Sequence, residues 1–462
     1  MVNDRIQTAD HGGGILVLPD VSAVGNAGGA RLNALIGHIK ACAKRVAARP
    51  AGDNDLGRST DFHDLLKARS VTRPEGLDDS PTYFAFGKGR ENEAGALVKR
   101  FGGSRTLVLY GGGSAVRSGL LEQVTASLKE SGVEAVVLGG VKPNPESDLV
   151  YEGVSLCREN ALDFVLAVGG GSVIDTAKAV AVGALYAGDF WEFFDYAVRR
   201  PITEALPVGT VLTIAATGSE DSTDAVISAD GGKLKRSISS DLIRPVFSIL
   251  NPELTCTLPA YQTACGIVDM FAHVPERYFT NTTEVGLTDG LCESVMRTII
   301  YEAGRVMEDP TSYDARANLM WAGTIAHNNI LGTGREQDWG SHLIEHELSA
   351  KYGCAHGAGL AVVFPAWMKY VVGHDPARFT RWAVNVWGCE EQENVMDTAM
   401  DGIGRYEAFH ASLGMPRTLG DVGGKAEDIP ELAVNVGSGP YQFGNFVKLG
   451  IPETTEILKL AL

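Results

Sequence analysis

The chain has no CxxC pair, no apolar run of membrane-spanning length and no excess of positive charge. Its seven cysteines, Cys42, Cys157, Cys256, Cys265, Cys292, Cys354 and Cys389, are odd in number and scattered. That excludes a regular disulfide framework and fits a reducing, cytoplasmic compartment. Without a long apolar run no membrane partner is expected. The opening MVNDRIQTADHGGG also lacks the apolar core of a secretion signal. Acidic residues number 57 against 40 basic ones, a net charge of −17, which argues against a nucleic-acid partner held by general charge. An anionic cofactor stays open, because backbone dipoles bind phosphate locally.

What is present is ample for a globular protein with a sizeable core. The 462 residues suffice for two or three domains, and 45% of them are apolar. Residues 1–80 stand apart, as in ARPAGDNDLGRSTDFHDLLKARSVTRPEGLDDSP. Apart from one helical period in ARLNALIGHIKACAKRVAA, they read as an extension, linker or disordered segment.

From Pro81 the pattern is regular. RTLVLYGG, EAVVLGG, FVLAVGGGS and PVGTVLTIAATGS are short β-rich runs ending at glycine. Helical periods such as GLLEQVTASLKESG and DLVYEGVSLCREN lie between them. This alternation predicts a parallel sheet covered by helices over residues 81–258. After Leu258 long amphipathic stretches take over, including TDGLCESVMRTIIYEAGRVM and ARANLMWAGTIAHNNILG. They predict an all-helical domain over residues 259–462.

Three glycine turns each follow a strand: YGGGS at 110–114, VGGGSVIDTAK at 168–178 and AATGSE at 215–220. Glycine at the start of a helix lets N–H groups approach phosphate, and the helix dipole favours the anion. None is a GxGxxG fingerprint. All three fall at carboxyl ends of strands, where open α/β sheets bind ligands. Asp175 and Lys178 lie in the first turn after the second loop.

In GIVDMFAHVPERY, Asp269 and His273 are four apart and share one helix face. SHLIEHELSAKYGCAHGAG adds His342, His346 and His356, with Gly353 placed to turn the chain. One carboxylate and two or three imidazoles suit Fe2+ or Zn2+ with a position left for substrate. Spacing alone leaves open which of His342, His346 and His356 is not a ligand. The other histidines, His327 among them, fall outside this group, and the bland partner for Asp269 is Arg277. Pro275 cannot donate to the Phe271 carbonyl, so the helix should kink just after His273.

GGGSVIDTAK, AATGSE, GIVDMFAHVPERYF and GSHLIEHELSAKYGCAHGAGLA together resemble the iron-containing (group III) alcohol dehydrogenases. The likeness is to the NAD(P)H-dependent butanol dehydrogenase branch and runs from Pro81 to the C-terminus. It implies a Rossmann-like dinucleotide-binding domain, then a helical domain, with the metal in the cleft between them. It implies Asp269, His273, His342 and His356 as ligands, and His346 near the nicotinamide as a proton relay. Gly111, Gly112, Ser114, Gly169, Gly170, Gly171, Ser172, Asp175, Lys178, Thr213 and Thr217 become cofactor positions. Gly139, ending the second strand, supplies no carboxylate for a ribose 2′-hydroxyl, and Lys142 follows it. NADP(H) is therefore expected ahead of NAD(H). The activity implied is hydride transfer between NADP(H) and a primary alcohol or aldehyde, in a homodimer. The alternatives are a polyol (glycerol-type) dehydrogenase and a non-catalytic nucleotide- and metal-binding protein.

Overall fold

The computed structural model describes residues 82–198, 200–232, 234–436 and 442–462. The helical period at residues 31–49 and the rest of the extension lie outside them.

Six strands form one parallel sheet: β1 (Tyr83–Phe86), β2 (Arg105–Tyr110), β3 (Glu134–Leu138), β4 (Phe164–Gly169), β5 (Val208–Leu212) and β8 (Phe247–Leu250). Their order is β1-β8-β5-β4-β2-β3. The run FVLAVG is buried along its whole length because β4 is central and both sheet faces are covered. On one face Leu107, Leu109, Val165 and Ala167 pack with helices α3 (Ser147–Glu159) and α4 (Gly171–Leu185). On the other, Val108, Phe164, Leu166 and Val168 pack with α1 (Ala94–Arg100) and α2 (Leu120–Glu130). The period of two along each strand sorts these side chains to opposite faces.

The four strands read from sequence are present. Strands β1 and β8 escaped notice because each has only four residues. So did an antiparallel hairpin, β6 (Asp224–Ala229) and β7 (Leu234–Ser239), whose polar LKRSIS gives no strong strand signal.

The helical part contains α5 (Ala260–His273), α6 (Gly286–Glu308), α7 (Tyr313–His327), α8 (Gly340–Tyr352), α9 (His356–Val371), α10 (Pro376–Trp387), α11 (Val395–Ser412), α12 (Ile429–Val436) and α13 (Ile451–Leu460). They enclose a separate core that includes Phe271, Phe279, Trp367 and Trp382. The kink expected at Pro275 is a full interruption: α5 ends at His273, although Val274 keeps helical angles (φ −75°, ψ −49°). Val274 N donates to Phe271 O at 3.1 Å, and one further turn, Pro275–Tyr278, follows. Among the described residues no helix is long and apolar enough to cross a membrane.

Candidate metal centre and dinucleotide site

Asp269 and His273 both face inward from α5 and are only 3% and 4% exposed. His342, on the first turn of α8, joins them: donor atoms of the three residues lie within 4.8 Å of one another. Gly353 (φ 66°) ends α8 in the left-handed conformation, with its N–H on Ser349 O, and turns the chain so that His356 opens α9. His356 Nε2 and His273 Nε2 each lie 3.6 Å from Asp269 Oδ1. Ligands about 2.0–2.2 Å from a tetrahedral ion stand a little over 3 Å apart, so the spacing fits.

The unpaired atoms point the same way. Asp269 Oδ1 and His342 Nε2 are buried without hydrogen-bond partners, an arrangement that costs free energy unless a cation takes the lone pairs. Burial raises the Asp269 carboxyl above the usual carboxylate range. Burial, reinforced by neighbouring imidazoles, pushes His273 well below its ordinary value. Neutral imidazole is the form that binds metal.

Carboxylates stand behind two of the imidazoles. His342 Nδ1 lies 2.7 Å from Glu276 Oε1. His356 Nδ1 is hydrogen-bonded to Glu345 Oε2. Such partners fix the ring orientation of metal-bound histidines and leave Nε2 as the donor. Arg277, the bland partner for Asp269, is committed elsewhere: its Nη1 donates to His273 O at 2.8 Å and its guanidinium stacks on Trp339.

His346 sits beside this group, its ring 5.7 Å from that of His356. Burial pushes its imidazole well below the ordinary value. His327, set aside on sequence grounds, is in the site. Its ring lies 4.2 Å from that of His273, and its Nε2 is 3.2 Å from Asp224 Oδ2. Burial lowers it to about 4. Burial works against ionised Asp224, but the hydrogen bond from His327 leads the effects that hold it at about 2. Only the register of α7 reveals this residue, so spacing in the sequence gave no signal for it.

The glycine loops gather at the carboxyl edge of the sheet. Gly111 and Gly112 follow β2, and Gly113 precedes the single turn Ser114–Arg117. Gly169 ends β4, and Gly170 and Gly171 lead into α4 with Ser172. Thr213 follows β5, and its N–H donates to Gly169 O at 3.0 Å. A Cβ on Gly171 would meet Thr217 Oγ1 at 2.4 Å. These glycines therefore pack the loops together as well as baring the backbone.

Lys178 and Asp175 are both engaged inside the fold. Lys178 is fully buried, and its Nζ donates to Ser222 O, Ser222 Oγ and Asp224 O at 3.0, 3.2 and 2.7 Å. All three protons are used inside the fold, so Lys178 anchors β6. Asp175 accepts from Ser219 Oγ at 2.6 Å and Val226 N at 3.1 Å, and burial raises it to about 6. At Gly139 a Cβ would meet the Tyr110 ring at 2.2 Å, so the phenol covers the place where an acidic side chain would stand. Lys142 lies 3.6 Å from Glu146, which offsets its charge.

Comparison with known proteins agrees with this architecture. The iron-containing alcohol dehydrogenase family matches residues 81–252, and the family's C-terminal part matches residues 263–462. A probable NADH-dependent butanol dehydrogenase 2 of Bacillus subtilis is 42% identical, over 83% of this chain and 98% of its own. The NADPH-dependent aldehyde reductase YqhD of Escherichia coli is 38% identical, over 76% of this chain and 90% of its own. The crystal structure of NADH-dependent butanol dehydrogenase A from Thermotoga maritima superposes with a TM-score of 0.80 at 41% identity, covering 83% of this chain and 98% of that one.

Proposed function

The chain belongs to the iron-containing alcohol dehydrogenase family and is an oxidoreductase; from that premise we propose that it interconverts short primary alcohols and aldehydes of the butanol type, with NADP(H) as preferred dinucleotide. The observation that carries the reading is the convergence of Asp269, His273, His342 and His356, with carboxylates behind two of the rings.

Those four residues would hold one Fe2+ or Zn2+. A divalent ion there supplies Lewis-acid polarisation of the substrate oxygen. Reducing an aldehyde takes a hydride at carbon and a proton at oxygen. His346, beside the four, is the group we assign to moving that proton. The glycine loops present backbone N–H groups to the pyrophosphate. The NADP(H) preference rests on Gly139, which places no carboxylate against a 2′-phosphate.

The test is turnover by metal-loaded protein of butanal and of glycerol, each with both dinucleotides. Butanal reduced with NADPH at the higher kcat/KM supports the reading. Glycerol oxidation as the dominant activity contradicts the substrate class, and a preference for NADH contradicts the cofactor assignment.

A further inference from the structure

The β6–β7 hairpin belongs to the dinucleotide-binding part, yet it carries two charged residues to the metal site. Lys235, second in β7, is 6% exposed. Its Nζ donates to Asn144 Oδ1 at 3.1 Å and lies 3.6 Å from Glu345 Oε2, the oxygen that holds His356 Nδ1. Asp224, first in β6, accepts from His327 Nε2. His327 in turn packs on His273.

The two contacting imidazoles are chemically matched. His273 Nδ1 and His327 Nδ1 are both buried without partners. A His273 that offers Nε2 to a metal carries its proton on Nδ1. A His327 that donates Nε2–H to Asp224 keeps its lone pair on Nδ1. The ring centroids lie 4.2 Å apart, so this donor and this acceptor belong to imidazoles in direct contact.

The hairpin is also tied to the glycine-loop helix. Val226 N donates to Asp175, and Lys178 Nζ holds Asp224 O. One hairpin therefore touches the helix after the second glycine loop and stands behind two histidines of the candidate metal centre.

We propose that the β6–β7 hairpin is a positioning device for the metal centre, with Lys235 orienting His356 through Glu345 and Asp224 orienting His273 through His327. Each imidazole of the ligand set then has a carboxylate behind it: Glu276 for His342, Glu345 for His356 and Asp224, one imidazole removed, for His273. Lys235 and Asp224 are positioning residues that touch neither substrate nor metal.

This inference rests on the metal reading above, and the experiment separates the two. Zn2+ affinity of purified protein is measured by chelator competition, alongside the visible absorption of the Co2+ form. The proteins are wild type, Lys235→Met, Glu345→Gln, their combination and Asp224→Asn, with thermal unfolding of each metal-free form as the folding control. Losses of about 10- to 100-fold in Zn2+ affinity are expected for the single variants, with a shifted Co2+ spectrum. The combined variant should bind no more weakly than Glu345→Gln alone, because Lys235 acts through Glu345. If Lys235→Met does not fold, Lys235→Gln takes its place in the cycle. Folded Lys235 and Asp224 variants with wild-type Zn2+ affinity and Co2+ spectrum would overturn the proposal, as would additive losses in the cycle. A wild type that takes up no Zn2+ would remove the metal reading, and this inference with it.

Discussion

His342 Nδ1 lies 2.7 Å from Glu276 Oε1, the same oxygen that accepts from Ser341 Oγ at 2.5 Å and from His342 N at 3.2 Å. Glu276 sits on the single turn that Pro275 separates from α5. The helix break after His273 thus places a fully buried carboxylate behind His342, the next histidine of the candidate metal centre.

Glu276→Gln should weaken metal binding by about 10- to 100-fold while the fold survives, since the amide is a poorer acceptor for an imidazole proton. Glu276→Ala leaves several buried donors unpaired and should also lower stability by about 1–3 kcal/mol. Chelator competition and denaturant unfolding read the two effects separately. Equal metal affinity in Glu276→Gln and wild type contradicts the orienting role.

Glu220 gives a pH dependence of stability. It is 2% exposed, accepts from Thr324 Oγ1 at 2.6 Å, and burial raises it to about 7. The folded state therefore keeps a proton that the unfolded state releases near the ordinary Glu value of about 4.3. Between these values the native state binds more protons, so this group's contribution falls as pH rises and levels off above about 7. Relative to Glu220→Gln, wild type should lose on the order of 1–3 kcal/mol between pH 5 and pH 8. Parallel stability–pH curves for the two proteins would rule this out.

Dinucleotide preference is tested at Gly139. A side chain there must displace the Tyr110 ring, so Gly139→Ala is the control for Gly139→Asp. Relative to Gly139→Ala, Gly139→Asp should shift the NADPH/NADH ratio of kcat/KM toward NADH by about tenfold or more, the effect of one carboxylate beside a 2′-phosphate. An unchanged ratio between the two variants means that residue 139 does not read the ribose.

Deleting residues 1–78 should leave soluble, metal-binding, active protein, because the family match begins at residue 81. Loss of activity with metal binding retained would assign the extension a role.

Much of this site was legible in the sequence because it uses fixed local periods. Asp269 and His273 share a face by helical spacing, and Gly353 foretold the turn to His356. The glycine loops announced the carboxyl edge of the sheet. What stayed hidden depends on tertiary register. His327 reaches the site only because α7 docks on α5. Asp224 and Lys235 arrive on a hairpin whose polar sequence looks like loop. Lys178 resembles a phosphate-binding lysine by position, but its three acceptors come from residues 222 and 224 in space. The Glu276 and Glu345 carboxylates read as ordinary helix charges until the histidines are folded against them.

The most direct test of the account is metal content measured together with NADPH-dependent butanal reduction, in wild type and in Asp269→Ala, His273→Ala, His342→Ala, His356→Ala and His346→Ala, after anaerobic loading with Fe2+ or Zn2+. The account predicts one metal per wild-type chain, loss of metal and activity together in the first four variants, and retained metal with a reduced rate in His346→Ala. Full butanal reduction in metal-free wild type, or metal lost from His346→Ala but kept by His342→Ala, would contradict it.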